Sequence, residues 1–497
     1  MAKLTRRAFV AGAGASAAGV GLVSAGRLSA RAAETAGAGP QVLRAAPTTA
    51  QLLEADQPPT PVWAYNGSVP GPEIRIPRGK PFAARLQNGL DAPTTIHWHG
   101  VRNENAMDGA AGLTQPPVAP GEVFDYAFTP PDAGTFWYHP HFRTYEQLAR
   151  GLAGAFIVTE DNPPPVDRDV VLVFDDWRIR EDTQIDGASF GAFHDLSHAG
   201  RLGNVLTLNG AFSYDLDVRA GDRLRLRLLN ASTARVLRIA LPGHRLRVVA
   251  LDGAPVTPFD AEDIRLAPAQ RCDVVVDCMM DVGTRTPIIA DTGRKKLEAG
   301  YLAYDAAKRQ RTAVLGDPIV LNAWEMPGVG DTSAARRDLR VVDLVMDGGA
   351  RTWLDTAQYE GETLDARTLA RQHGKVWAFN GIVGKPDEPL ARFARDEPVE
   401  MRLVNRTAWP HAMHFHGHHV REIARGSIPQ NGLDNVTAVT SKSVRAGGSG
   451  HWRDTVYLRP QEMLTVGFVA HNPGLWMLHC HMLAHQLGGM ATWYEVA

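Results

Sequence analysis

Histidine and cysteine residues near the end of this 497-residue chain form a pattern that suits metal binding. His479, Cys480 and His481 are consecutive, and His485 and Met490 follow them. In an extended strand, side chains alternate between the two faces, so Cys480 points one way while both flanking histidines point the other. The thiolate could therefore hold one metal ion while the imidazoles hold two others, and the backbone would connect the sites.

Three further histidine clusters lie upstream: His97 and His99, then His139 and His141, and finally His411, His414 and His416. Imidazole and thiolate ligands suit copper, and two His, one Cys and a weak axial Met are typical of blue-copper electron-transfer sites. Structural zinc sites generally use pairs of cysteines. One cysteine among many histidines therefore favours copper.

These four motifs, in this order, resemble those of the multicopper oxidases, most closely the three-domain bacterial laccases and cuprous oxidases. The resemblance runs from about Val62 to the C-terminus and implies four copper ions. The type 1 copper would be held by His411, Cys480, His485 and an axial Met490. The type 2 copper would be held by His97 and His414. The coupled type 3 pair would be held by His99, His139, His141, His416, His479 and His481.

The resemblance also implies an activity. A laccase-like enzyme would take single electrons from phenols or aromatic amines at the type 1 copper and reduce dioxygen to water at the other three. Cuprous oxidases carry a methionine-rich insertion in domain three, whereas residues 341–400 here contain only Met346. A small aromatic reductant is therefore expected, with cuprous oxidation for copper tolerance as the alternative.

Two readings from other classes are less favoured. Copper-free scaffold relatives have lost their ligands, but all twelve ligand positions survive here. Two-domain nitrite reductases lack a type 3 pair and hence half of these histidines.

Acids near the cluster matter because dioxygen reduction consumes protons. Asp108, nine residues after His99, aligns with the acid that relatives place beside the type 2 copper, and we predict that it relays protons. The alternative is a simple turn residue before Gly109. Gln486 stands where many relatives have glutamate, and an amide cannot donate a proton in that way.

The elements that must position these residues are β-strands. Asn-Gly pairs at 66–67, 209–210 and 380–381 each precede an alternating stretch that ends in Leu-x-Asn. We predict an all-β chain of three consecutive domains, which the resemblance identifies as cupredoxin-like Greek-key β-barrels. The predicted domains are 45–162, 166–325 and 338–497, with the cluster between the first and third.

The second predicted domain has no ligand motif and is expected to be a spacer. His194 and His198 within it have a spacing of i, i+4, which could bind metal if the segment is helical. A surface loop without metal is the favoured alternative.

Residues 1–33 resemble a twin-arginine signal, with Arg6-Arg7 before a Gly/Ala-rich stretch. We therefore expect export by the twin-arginine machinery to the periplasm, or secretion, without a stable membrane anchor. Removing five basic residues with the signal leaves 47 basic and 54 acidic residues, a net charge of −7. This charge argues against a nucleic-acid partner. Cys272 and Cys278 are expected to be buried thiols, because six residues of strand exceed disulfide reach.

Overall fold

The computed structural model describes residues 39–305, 309–316, 319–326, 339–352, 354–428 and 450–497. The predicted export signal, residues 1–33, lies outside these ranges. The described chain consists mainly of strands, which form three successive domains of two packed sheets each.

The first domain contains two four-stranded sheets, with strand orders β2-β1-β4-β6 and β3-β8-β7-β5. Its elements are β1 (Gln41–Ala50), β2 (Thr60–Tyr65), β3 (Gly71–Pro77), β4 (Phe82–Asn88), β5 (His97–His99), a 3₁₀ turn (Asn105–Met107), β6 (Val123–Phe128), β7 (Gly134–His139), α1 (Thr144–Gln147) and β8 (Gly154–Thr159).

The second domain contains a six-stranded sheet, β10-β9-β12-β17-β14-β15, and a five-stranded sheet, β11-β19-β18-β13-β16. Its elements are β9 (Arg168–Trp177), a 3₁₀ turn (Gly187–Ser189), α2 (Phe193–Ser197), β10 (Val205–Leu208), β11 (Tyr214–Val218), β12 (Arg223–Asn230), β13 (Leu237–Ala240), β14 (Leu246–Leu251), β15 (Ala254–Ala261), β16 (Ile264–Leu266), β17 (Arg271–Asp277), β18 (Arg285–Asp291) and β19 (Lys296–Tyr304).

The third domain repeats that arrangement, with sheets β23-β20-β25-β30-β27-β28 and β24-β32-β31-β26-β29 and a separate hairpin, β21-β22. Its elements are β20 (Arg340–Gly348), β21 (Thr356–Tyr359), β22 (Glu362–Asp365), α3 (Ala366–His373), β23 (Trp377–Phe379), β24 (Arg392–Phe393), β25 (Glu397–Asn405), β26 (His411–Phe415), β27 (Val420–Ser427), β28 (Trp452–Arg453), β29 (Thr455–Leu458), β30 (Glu462–Ala470), β31 (Gly474–Cys480), α4 (Leu483–Leu487) and β32 (Ala491–Val496).

The three domains share one topology. When the separate β21–β22 hairpin of domain three is left out of the count, the first strand of each domain pairs in parallel with the fourth, as in β1·β4, β9·β12 and β20·β25. The third strand likewise pairs in parallel with the last, as in β3·β8, β11·β19 and β24·β32. Each domain also encloses its own apolar core between its sheets. The predicted three-domain cupredoxin-like fold is confirmed.

The repeated Asn-Gly pairs form the same turn three times. Asn66, Asn209 and Asn380 have φ of 53°, 50° and 50°, and the glycine after each also has positive φ, as type I′ turns require. Each asparagine side chain also bonds the first strand of its domain. The asparagine Nδ2 donates to a carbonyl of that strand, which belongs to Val42, Val171 or Asp343. The asparagine Oδ1 accepts from the backbone N–H of the residue two positions after that carbonyl, which is Arg44, Val173 or Val345.

The Leu-x-Asn asparagines fix the loops that follow. The Oδ1 of Asn88, Asn230 and Asn405 accepts from the backbone N–H two residues on, and each Nδ2 donates to two nearby backbone carbonyls. In domains one and three these loops lead into β5 and β26, which begin with histidine ligands. The sequence repeat is therefore a structural repeat that positions the site.

Two further expectations concern the chain as a whole. Cys272 and Cys278 are buried free thiols, as expected. Within the described ranges, no helix has the length and apolar character needed to cross a bilayer.

Candidate copper centres

Equivalent strand pairs carry the predicted ligands in domains one and three. In domain one, β5 pairs with β7 and sets His97 opposite His139. In domain three, β26 pairs with β31 and sets His414 opposite His479 and Met413 opposite Cys480. The equivalent pair in domain two, β13 and β18, has no histidine. Domain two thus keeps the scaffold of a copper site without its ligands.

One group of ligands contains the cysteine. The Nδ1 atoms of His411 and His485 lie 3.1 Å apart, and each lies 3.7 Å from Cys480 Sγ. Bonds of about 2.0 Å to nitrogen and 2.3 Å to sulfur around one tetrahedral ion separate two nitrogens by roughly 3.3 Å and a nitrogen from the sulfur by roughly 3.5 Å. The group is fully buried and fits a single ion.

The backbone brings Met490 beside this group. The Cys480 N–H donates to Met490 O at 3.1 Å, and the Met490 N–H donates to His485 O at 2.9 Å. The intervening residues form the single turn α4, which carries His485. Met490 is fully buried. The predicted axial ligand is therefore bonded through the backbone to two of the other three ligands, Cys480 and His485.

The remaining eight histidines lie between domains one and three in three groups. His97 and His414 approach through Nε2 atoms 3.3 Å apart. In the second group, His139 Nε2 lies 3.4 Å from His99 Nδ1 and 3.3 Å from His481 Nε2. In the third group, His479 Nε2 lies 3.3 Å from His141 Nε2 and 3.2 Å from His416 Nε2. Each separation fits two nitrogens bound to one ion.

Hydrogen bonds on the outer side of the cluster orient these rings. Nδ1 of His97, His139, His414 and His479 faces a backbone carbonyl oxygen at 2.8–3.1 Å. A proton on Nδ1 leaves Nε2 with a lone pair, and in all four residues that Nε2 points into a group. Metal-binding histidines are commonly fixed in this way. Buried lone pairs that converge without donors fit a cation, so the donor set matches copper.

In the copper-free protein, burial keeps the imidazoles of two histidine ligands neutral and the thiol of the cysteine ligand protonated. Burial lowers the pKa of His416 to about 3 and that of His485 to about 4, so both imidazoles are neutral at pH 7. Burial raises the pKa of the Cys480 thiol to about 12. Metal binding at this thiol must therefore displace a proton.

Asp108 lies beside the cluster, where the sequence motif predicts it. Its Oδ2 accepts from His416 Nδ1 at 2.9 Å, and its Oδ1 lies 3.2 Å from His97 Nδ1. Burial raises the pKa of Asp108, but His416 and His97 outweigh burial and hold it below its usual range. Asp108 thus connects His97, which faces His414, with His416, which faces His479. Its predicted proton relay stays a prediction.

A second buried acid, Asp454, was missed in the sequence. Its Oδ1 accepts from His99 Nε2 at 3.1 Å, and its backbone carbonyl accepts from His414 Nδ1. Burial raises its pKa, but the guanidinium of Arg271, which bonds both its carboxylate oxygens, lowers it well below the usual range. The Nε of Arg271 also donates to Thr135 O at 3.0 Å. Arg271 therefore connects all three domains behind the cluster.

Domain two also contacts domain three through three consecutive carbonyls, one of which bonds a ligand of the cysteine-containing group. Leu196 O accepts from Trp377 Nε1 at 2.6 Å, and Ser197 O accepts from the Ala350 N–H at 2.7 Å. His198 O accepts from His485 Nε2 at 2.7 Å. Backbone carbonyls carry no residue-type signal, so no motif could have revealed this contact.

Comparisons with known proteins agree with this geometry. Three family models, each described as multicopper oxidase, match residues 47–163, 168–306 and 358–497. The multicopper oxidase MmcO of Mycobacterium tuberculosis is 28% identical over 459 residues, covering 86% of this chain and 82% of MmcO. Other relatives carry the names of laccases and of iron transport multicopper oxidases.

Solved structures give the same result over nearly the whole chain. A multicopper oxidase from Pseudomonas thermotolerans matches with a TM-score of 0.76 and 28% identity, covering 92% of this chain and 99% of that one. Lac15 from a marine microbial metagenome matches with a TM-score of 0.69 and 34% identity, covering 92% and 100%. The chain belongs to the multicopper oxidase family, whose members are copper-dependent oxidoreductases that use dioxygen.

Proposed function

We propose that this protein is a laccase-like oxidase with four copper ions per chain. It takes single electrons from phenols or aromatic amines and reduces dioxygen to water. One observation carries the proposal: the predicted histidine ligands and Cys480 are buried together, and their facing donor atoms lie 3.1–3.7 Å apart, as ligands of a shared ion do.

Bound copper would supply one-electron oxidation at the cysteine-containing group and four-electron reduction of dioxygen at the other three. The chain itself supplies the connection between them. Cys480 is bonded through the backbone to His479 and His481, and these two histidines belong to different groups of the cluster. Single electrons collected at one site thus have a short covalent path to both halves of the proposed type 3 pair.

The protein also supplies rigidity and exclusion of water. The cluster histidines are between 0% and 6% exposed, and acceptors from domains one and three fix their rings. Ligands held in place in this way need little reorganisation when charge moves through the site. We assign Asp108 the relay of protons to the cluster, because it is the carboxylate that contacts both His97 and His416.

The surroundings of the cysteine-containing group support an organic reductant. Among the described residues, no carboxylate joins His411, Cys480 and His485, whereas Asp454 joins two cluster histidines. Met346, the one methionine of residues 341–400, is fully buried in the core of domain three. Residues 341–400 therefore offer no exposed thioether to a cuprous ion.

Copper analysis of the purified protein, its absorption spectrum and steady-state rates test the proposal. We expect four coppers per chain, an intense blue band, and higher kcat/KM for a phenol or an aromatic amine than for Cu(I). Cu(I) as the preferred reductant would replace the laccase-like proposal with cuprous oxidation. Fewer than four coppers after full reconstitution would contradict the ligand assignment.

We also propose that the protein works in the periplasm after twin-arginine export. The support is the sequence of residues 1–33 alone. A reporter fused to these residues should reach the periplasm, and replacing Arg6 and Arg7 with lysine should retain it in the cytoplasm.

A further inference from the structure

The segment of domain two that carries His194 and His198 packs against the cysteine-containing group. It forms one helical turn, α2, with His198 as the residue that caps its C-terminus, and not the expected surface loop. The two imidazole rings stack with centroids 4.2 Å apart and planes inclined by 12°. Their in-plane lone pairs therefore do not converge on one ion, and the pair offers a flat aromatic surface instead of a metal site.

The outer nitrogens of both histidines in the cysteine-containing group are already bonded within the protein. His485 Nε2 donates to His198 O at 2.7 Å, and His411 Nε2 lies 2.9 Å from Thr407 Oγ1. Both imidazoles are 0% exposed. A reductant therefore cannot touch either ligand while these bonds are intact, and electrons must enter through the next layer of side chains.

That next layer contains two aromatic side chains, each of them partly exposed. The His198 ring lies 5.2 Å from the Trp409 ring, with planes inclined by 58°. Trp409 is held by its Nε1, which donates to Ala350 O at 2.8 Å, and by its N–H, which donates to Thr407 Oγ1. Both residues thus connect by hydrogen bonds to a ligand histidine, and their rings suit the packing of a flat aromatic molecule.

The charge beside these two rings is positive. The guanidinium carbon of Arg351, an exposed residue, lies 5.9 Å from the centre of the Trp409 ring. Within the described ranges, Arg351 forms no ion pair. The nearby acid Asp195 is bonded at both carboxylate oxygens by Arg178, at 2.6 and 3.0 Å, so its charge is already balanced. This surface therefore suits an anion, although the mature chain is expected to be anionic.

We propose that aromatic reductants dock on the rings of His198 and Trp409, one layer outside the copper ligands, and that Arg351 selects those with a carboxylate or another anionic group. The inference rests on the proposed laccase-like function and names its preferred substrate class. A docked phenol loses one electron and its phenolic proton and leaves as a phenoxyl radical. The electron passes to the proposed type 1 copper and finally to dioxygen, and the proton passes to water. Guanidinium can bind a carboxylate at two points, so Arg351 also orients the ring.

A methoxylated hydroxybenzoic acid, anionic at pH 7, and its neutral methyl ester test the role of Arg351 in the copper-loaded protein. We expect the acid to have the lower KM, and its kcat/KM should fall with rising salt because salt screens exposed charges. Arg351→Gln should raise the KM of the acid by about two- to fivefold, as for loss of one exposed charge pair, and leave the ester unchanged. Arg395→Gln is the matched control, because this exposed arginine follows β24, which pairs with the end of β32 farthest from Met490.

His198→Ala separates the ring from the backbone. The variant removes the imidazole but keeps the carbonyl that accepts from His485, so the blue band should be unchanged. Loss of the stacking surface should raise the KM of acid and ester alike, by roughly two- to tenfold. An unchanged KM for both phenols would overturn the docking surface. An equal change for acid and ester in Arg351→Gln would overturn the selection by charge.

Fluorine NMR relaxation of a fluorobenzoate supplies a readout without turnover. This probe carries the ring and the charge but no phenol to oxidise, and its nuclei relax faster when they lie near the unpaired electron of the oxidised blue copper. We expect enhanced relaxation with the copper-loaded wild type and with Arg395→Gln, and less with Arg351→Gln. Equal relaxation in wild type and Arg351→Gln would overturn the proposal. The laccase-like function fails separately, if the wild type binds the fluorobenzoate but oxidises neither phenol.

Discussion

Replacing Asp454 with asparagine should disrupt the junction of the three domains without changing its shape. The carboxylate and Arg271 are both fully buried, with the guanidinium bonding both carboxylate oxygens. An amide leaves the cation without its main partner, and Asp252 is 3.9 Å away from Arg271. Removing one partner of a buried ion pair costs about 3–5 kcal/mol. For a domain of 150–250 residues this corresponds to a melting midpoint lower by roughly 6–20 °C.

The measurement uses copper-free protein, so that metal binding does not contribute to the difference. Asp263→Asn is the matched control, because Asp263 pairs with Arg238 through two hydrogen bonds on the surface of domain two, which also contains Arg271. Exposed pairs contribute about 0–1 kcal/mol, so this control should melt close to the wild type.

A double variant separates stability from copper binding. Arg271→Met combined with Asp454→Leu removes both charges, and apolar replacement of a buried pair often restores stability. The double variant should recover most of the melting temperature. It should still bind type 3 copper about 10–100-fold more weakly, because His99 has lost its carboxylate acceptor and keeps only the Thr455 hydroxyl. If Asp454→Asn melted like the wild type and kept four coppers, the reasoning about this junction would be refuted.

Four further predictions concern the copper groups themselves. Cys480→Ser should abolish the blue band and the oxidase activity while far-ultraviolet circular dichroism stays unchanged; a variant that remains blue would refute the assignment. His97→Ala should keep the blue band but reoxidise slowly with dioxygen, measured by oxygen consumption, and normal consumption would move His97 out of the cluster. Asp108→Asn should slow turnover by about 10²–10⁴-fold, as for loss of a general acid, with anaerobic reduction of the blue centre almost unaffected; normal turnover would make Asp108 a positioning residue only. In copper-free protein, burial lowers the pKa of His485 to about 4 and of His416 to about 3, below about 6.5 in the unfolded chain, so unfolding takes up protons. Urea midpoints should therefore be highest above pH 6.5 and fall as the pH approaches 4, and copper-loaded protein should be at least as sensitive, because its ligands stay unprotonated while the metal is bound.

The fold and the ligands were predictable because each rests on a residue-type signal. Positive φ at Asn66 and at the two equivalent asparagines needs residues that tolerate it, so the turns are visible as Asn-Gly pairs. Copper binding needs imidazole and thiolate side chains, and the alternation of a strand then places Cys480 and His479 on opposite faces. These local rules were enough to indicate three related β-domains and the candidate metal-binding residues, and the resemblance to the multicopper oxidases supplied the barrel fold and the assignment of the ligands.

The contacts that hold the ligands were not predictable in the same way. Asp454 precedes an ordinary strand, and only tertiary packing brings it to His99 and Arg271. The acceptor for His485 is the backbone oxygen of His198, which any residue could supply. Both contacts join positions more than 180 residues apart, so neither local periodicity nor motif spacing encodes them.

The middle domain, which contributes none of the proposed ligands, contacts both metal regions. Arg271 donates to Asp454, the acid that accepts from His99, and the His198 carbonyl accepts from His485. Copper retention should therefore report on the integrity of a domain that binds none. Local unfolding there would release the metal although every ligand is intact, so inherited or engineered changes far from any histidine can produce a copper-deficient enzyme.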